Sequence, residues 1–212
     1  MTLELISHPL CPYVHRTSAL LAEIDVPFTA RFVDLKAKPE WFLALSPRGK
    51  VPVLVVDDVA LFESAVILEY VAERFAPELV PEDPLARARQ RMWIEISGDL
   101  IMGQYKIATA GSANDRAVAV AQSGETLARF QPLIEGAYVG GARPGLIDFA
   151  AGPALVRFEK LQAALGLDIY RELPAVAAWS RAIAGRRAFT TTLVEDFDRR
   201  FEEMIVRHSA AA

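Results

Sequence analysis

Apolar positions follow mixed strand and helix spacings up to about residue 77 and a helical spacing after it. LELIS (3–7) is a strand-sized run, and after Pro12 the positions Tyr13, Thr17, Leu20, Leu21 and Ile24 fall near one face of a helix. PFTARFVDL (27–35) alternates apolar and polar side chains, which predicts a strand with one exposed face. A short helix is expected at PEWFLAL (39–45), ended by the turn signal SPRGK (46–50). VPVLVV (51–56) suits a central buried strand, DD makes a turn, and VALF (59–62) returns as its hairpin partner. Ser64 then caps a helix whose Ile67, Leu68, Val71 and Phe75 point inward. The order is βαβ, a short helix, then ββα.

APELVPEDP (76–84) holds three prolines and three acids with little helical pattern, so it reads as a linker. The expected division is a first domain over 1–77, a linker over 78–84 and an all-helical domain over 85–212. Helices are predicted at 85–108, where Gly98 and Gly103 count against continuity, and at 114–138, capped by Asn114 and kinked or ended at Pro132. Three more are predicted at 145–165, 174–184 and 190–208, and the final SAAA is expected to fray. Gly145 stands where a helix cap belongs, with Asp148 in the first turn, so the reciprocal capping box is expected to be lost; Gly152–Pro153 predicts a bend.

With 212 residues and 52% hydrophobic side chains the chain can bury one or two cores. The formal net charge is −4 and the basic residues are interspersed with acids, which argues against a nucleic-acid partner. Charges, prolines and glycines interrupt every apolar run before the ~20 residues of a membrane span, and MTLELIS has no signal-type pattern, so a cytoplasmic location is expected. The one cysteine excludes an internal disulfide and fits a reducing compartment.

That cysteine is the first candidate for chemistry. If Cys11 caps the first helix, Pro12 occupies a position that needs no N–H, and the amides of Tyr13 and Val14 point at the sulfur. The positive helix end then favours the thiolate, predicting a lowered pKa; the competing reading is an inert buried cysteine. CPYV is similar to the C-P-Y-C site of glutaredoxins with Val14 replacing the resolving cysteine. Pro52 in KVPVL suits either a strand entry or a cis turn that faces the Val51 backbone toward a bound thiol peptide. Glu63 and Ser64, just before a helix, suit a ligand with neighbouring carboxylate and ammonium groups; alternatively they are a plain cap and a solvated acid.

Taken together, CPYVHR, LKAKPEWF, SPRGKVPVL and ESAVILEYVAERF, followed by a helical second half, resemble the cytosolic glutathione transferase superfamily, nearest its cysteine-bearing omega-like members. The resemblance implies a thioredoxin-like α/β N-terminal domain followed by an all-α C-terminal domain. It further implies that Cys11 forms a mixed disulfide with glutathione, that the Val51 backbone pairs with the cysteinyl unit, and that Glu63 and Ser64 hold the γ-glutamyl end. Lys38 would face the glycine carboxylate. Glutathione is then the co-substrate, with no metal, a small hydrophobic or disulfide second substrate, and a homodimeric state. The implied activity is thiol transfer and deglutathionylation, extending to dehydroascorbate or quinone adducts. Conjugation of hydrophobic electrophiles and a non-enzymatic binding role are the alternatives. His8 and His15 are expected to be structural or solvent-facing, and Arg16 to pair with an acid. Trp93, Tyr105 and Phe158 can line a second-substrate cleft or belong to the core.

Overall fold

The computed structural model describes residues 1–209, so most of the terminal SAAA lies outside the described residues. The first half contains strand β1 (Leu3–Ser7), helix α1 (Pro12–Glu23), β2 (Thr29–Phe32), α2 (Glu40–Leu45), β3 (Val53–Val56), β4 (Val59–Phe62) and α3 (Ser64–Phe75). The sheet order is β2-β1-β3-β4, with β1 and β2 parallel and the other pairs antiparallel. Strand alternation sorts side chains to two faces. Leu5 and Leu54 pack with α1 and α3 in the main core, whereas Ile6 and Val53 pack with Val33 and Phe42 of α2 on the other face. This is the thioredoxin-like arrangement expected.

After a 3-10 turn at Pro77–Leu79 come α4 (Pro84–Ala108), α5 (Ala113–Phe130), α6 (Leu146–Leu165), α7 (Pro174–Ala184), α8 (Arg187–Thr190) and α9 (Phe197–Ser209). Helix α6 is the hub, its residues from Phe149 through Phe158 all buried among α1, α4 and α7. The Phe149–Phe189 pair stacks α8 on it at 5.7 Å between ring centroids, and Phe130–Trp179 stacks α5 on α7 at 5.6 Å. No described helix is long and apolar enough to cross a membrane.

Several local expectations change. Every residue of β2 is exposed, because it is an edge strand rather than one with a buried face. Helix α1 is buried on all sides from Val14 to Leu21, since the second half covers the face opposite the sheet. Ser112, not Asn114, caps α5, accepting from the Asp115 amide at 3.1 Å. Asp148 retains half a capping box: its Oδ2 accepts from the Gly145 amide at 2.8 Å, while Gly145 has no side chain to reciprocate. The same carboxylate accepts from the Val139 amide at 3.1 Å and from Trp179 Nε1 at 2.7 Å. The helix predicted over 190–208 starts only at Phe197. Thr190, Thr191 and Thr192 each turn a hydroxyl back to a carbonyl of α8, which competes with continued helix.

Candidate active site

Cys11 caps α1 with extended backbone (φ −74°, ψ 115°), and Pro12 opens the helix, as the local sequence dictates. The Val51–Pro52 bond is cis, and Cys11 Sγ lies 3.9 Å from the Val51 carbonyl oxygen. Sγ receives no capping hydrogen bond, yet the Val14 and Tyr13 amides face it closely enough to favour the thiolate, as do Arg157 and Arg16. Burial is the larger effect and pushes the thiol up from its ordinary value, even though Cys11 keeps a partly exposed edge. The lowered pKa expected from the helix terminus is therefore corrected: the helix end contributes in the expected direction, and desolvation outweighs it.

Two cavities lie on either side of Tyr13, which lines both. One is a polar groove of about 230 Å³ walled by Arg48, Lys50, Val51, Glu63 and Ser64. The other, about 380 Å³, lies between the two halves of the chain and exposes Cys11 to Leu10, Met102, Tyr105, Phe201 and Met204. A third space of about 400 Å³ reaches Cys11 from the side of β2 and Thr191–Val194.

Of the groove residues, Glu63 rather than Ser64 occupies the cap of α3, and its φ of 69° places it in the left-handed region that non-glycine residues seldom adopt. Such conformations persist where surrounding structure enforces them, and they concentrate at functional sites. The Glu63 carboxylate pairs with Arg48 at 2.5 Å. Ser64 is buried and its Oγ accepts from Arg16 Nη1 at 3.2 Å. Lys38 is exposed and does not wall the groove; its Nζ lies 3.2 Å from where a Cβ on Gly49 would be, between groove residues Arg48 and Lys50. Val51, Glu63 and Ser64 are thus brought together, Cys11 borders them through Val51, and Lys38 stands at the edge.

Two buried arginines carry much of the site's architecture. Arg157 of α6 donates to the carbonyls of Pro153 (2.8 Å) and Leu10 (3.2 Å), so α6 props the loop before Cys11. Arg16 pairs with no acid, contrary to expectation; its partners are Ala150 O, Ser64 Oγ and Ser97 Oγ. Burial lowers the pKa of each to about 10, and the Cys11 thiolate raises both. Sequence reasoning passed over Arg157, although a charge inside the apolar run PALVRF was a signal. It also passed over Arg48 and Lys50, which lie in the quoted turn SPRGK. His15 is structural, with Nε2 3.0 Å from Phe189 O and Nδ1 3.3 Å from Arg157; burial lowers its pKa to about 3. His8 is half-buried and borders both Cys11 cavities. Of the three aromatic candidates, Tyr105 lines the Cys11 cavity, Phe158 is core, and Trp93 faces a separate cleft.

Models of the glutathione S-transferase N-terminal and C-terminal domains match residues 10–74 and 110–182. The chain belongs to the glutathione S-transferase family. Among relatives of this glutathione transferase, stringent starvation protein A homolog from Histophilus somni is 33% identical over 152 residues, 70% of this chain and 71% of that protein. Glutathione S-transferase omega-1 from Sus scrofa is 27% identical over 220 residues, covering 99% of this chain and 88% of that protein. The crystal structure of glutathione transferase Omega 3C from Trametes versicolor superposes with a TM-score of 0.78 at 25% identity, covering 89% of this chain and 87% of that one. Glutathione is the family's co-substrate. Among the described residues, no group of three or more His, Cys, Asp or Glu could hold a metal ion.

Proposed function

We propose that this transferase is a glutathione-dependent thiol transferase working through a Cys11–glutathione mixed disulfide. The observation that carries the reading is the setting of its single thiol. Cys11 heads α1 beside the Val51 carbonyl and opens into an apolar cavity that shares Tyr13 with a charged groove. In this reading residues 1–77 form the glutathione-binding domain, residues 78–84 the linker, and residues 85–212 the helical domain that walls the second-substrate cavity.

Glutathione carries two carboxylates and one ammonium, and the groove offers both signs of charge. Ser64 and the first-turn amides of α3 take the γ-glutamyl carboxylate, and Glu63 takes the ammonium. The Val51 backbone pairs with the cysteinyl unit, and Lys38 reaches the glycine carboxylate from the groove edge. The Cys11 thiolate attacks the glutathione sulfur of a glutathionylated thiol, forming Cys11–S–S–glutathione and releasing the substrate as a thiolate that takes up a proton. A second glutathione thiolate then attacks the glutathionyl sulfur, releasing glutathione disulfide and restoring Cys11. No resolving cysteine is required, consistent with Val14 following CPY. Small disulfides, dehydroascorbate and quinone adducts are the second substrates to try.

Intact mass after exposure to oxidised glutathione tests this directly. The wild-type chain should gain one glutathionyl group and Cys11→Ser none; an unmodified wild type, or an equally modified variant, refutes the mechanism. One observation favours a second reading: Tyr13 borders both cavities, where a hydroxyl could support conjugation. Conjugation of a chlorinated nitrobenzene that survives Cys11→Ala and disappears in Tyr13→Phe would select it. The working form is inferred to be a homodimer, supported by Val59, Phe62, Val66, Leu85 and Met92, large apolar side chains 43–70% exposed on β4, α3 and α4.

A further inference from the structure

Arg16 is only 3% exposed, and its guanidinium is spent on Ala150 O at 2.8 Å, Ser64 Oγ at 3.2 Å and Ser97 Oγ at 2.8 Å. A buried charge is costly unless paired, yet these three partners are all neutral; the groups that otherwise bear on it are Tyr13, whose ring centroid lies 5.2 Å from the guanidinium carbon, the exposed Glu95 and the Cys11 thiolate. Among the described residues no carboxylate hydrogen-bonds to the guanidinium, which adjoins the polar groove through Ser64.

The two serines differ in what their own protons do. Ser97 donates its proton to Ile94 O at 2.5 Å. Ser64 has no acceptor for its O–H among the described residues, and its side chain walls the groove. A guanidinium has only donors, so Arg16 occupies a lone pair of Ser64 Oγ and leaves the hydroxyl proton to turn outward.

We propose that Arg16 is a positioning residue, which fixes the Ser64 hydroxyl as a donor and so makes this point of the groove select a carboxylate. The role rests on the glutathione-binding reading above. A carboxylate here meets a hydrogen-bond donor with a buried positive charge behind it. An amide N–H or ammonium meets an oxygen already held by a cation. Hydrogen bonds to charged groups are lost at a cost corresponding to roughly tenfold or more in affinity.

The test compares S-methylglutathione with its analogue in which the γ-glutamyl carboxylate is a carboxamide, both unreactive toward Cys11, by calorimetric titration. The wild-type chain should prefer the acid by about tenfold or more. Arg16→Lys and Arg16→Gln should bring that ratio toward one, raising KM for glutathione more than they lower kcat. In a Ser64→Ala background, Arg16→Gln should change the ratio no further. If either Arg16 variant does not fold, Ser97→Ala loosens the guanidinium while keeping its charge, and the ratio should fall partway. A preference that persists in the folded Arg16 variants, or in Ser97→Ala where those do not fold, overturns the proposal and leaves Arg16 structural. A wild-type chain that binds neither ligand, or both equally, defeats the groove assignment itself and the Arg16 role with it.

Discussion

At Cys11 the amides that begin α1 and the two arginines favour the thiolate, while the surrounding protein keeps out the water that would stabilise it. With burial the larger effect, alkylation of the free chain by iodoacetamide should keep accelerating as pH rises past the ordinary thiol range. A plateau at or below neutrality would contradict this. Arg157→Met removes one thiolate-favouring charge and should move the whole rate profile to higher pH. A thiolate of higher pKa is also the stronger nucleophile once formed, so a raised pKa is compatible with exchange chemistry. The cap and Pro12 were legible in CPYVHR because they are neighbours along the chain. The sign of the shift was not, because it depends on side chains of α6 and on how tightly the second half closes over α1.

Helix α4 shows why glycine is hard to read at the level of an element. Both glycines argued against a continuous helix, yet α4 runs unbroken from Pro84 to Ala108. A Cβ on Gly98 would meet nothing within 4 Å, so Gly98→Ala should raise stability by about 0.5–1 kcal/mol through the lost chain entropy. On Gly103 it would come 2.4 Å from Ser123 Oγ of α5. Gly103→Ala should therefore cost about 1–3 kcal/mol, with Ser123→Ala restoring much of it. Equal thermal shifts for the two alanine variants would contradict the packing account. Strand and helix periods were legible where the apolar run is continuous or keeps one helical face, as for β1, β3 and α3. They misled at β2, an edge, and at 191–196, where threonine hydroxyls outcompete the helix that the apolar spacing suggests.

On the scale of the whole molecule, large apolar side chains stand exposed on β4, α3 and α4, and the Arg91–Glu69 ion pair at 2.6 Å ties α4 to α3. Light scattering should give twice the chain mass, and Phe62→Asp with Met92→Asp should halve it; a wild-type monomer across the concentration range would refute the dimer. The groove residues Val51, Glu63 and Ser64 were legible because each sits beside a turn or helix start with its own local signature. Arg16 and Arg157 were not, because their partners lie far away along the chain.

Two side chains buried in the core bind protons in opposite senses, and the difference sets how the fold answers to acid. His15, lowered to about 3, stays neutral when folded although the unfolded chain charges it near 6.5, so its stabilisation drains away as pH falls below 6.5. Asp148, raised from 3.8 to about 6 by burial, takes up its proton earlier when folded, so it adds stability as pH falls through 6. Between pH 6 and 4 the two contributions oppose each other, and below 4 only the histidine's continues to change. Melting temperature followed against pH should accordingly decline gently to about pH 4 and steeply beneath it. In Asp148→Asn the decline should set in near pH 6; a slope matching the wild type there would show that the carboxylate plays no such part. Together the histidine and the aspartate make the fold a proton buffer for its own stability.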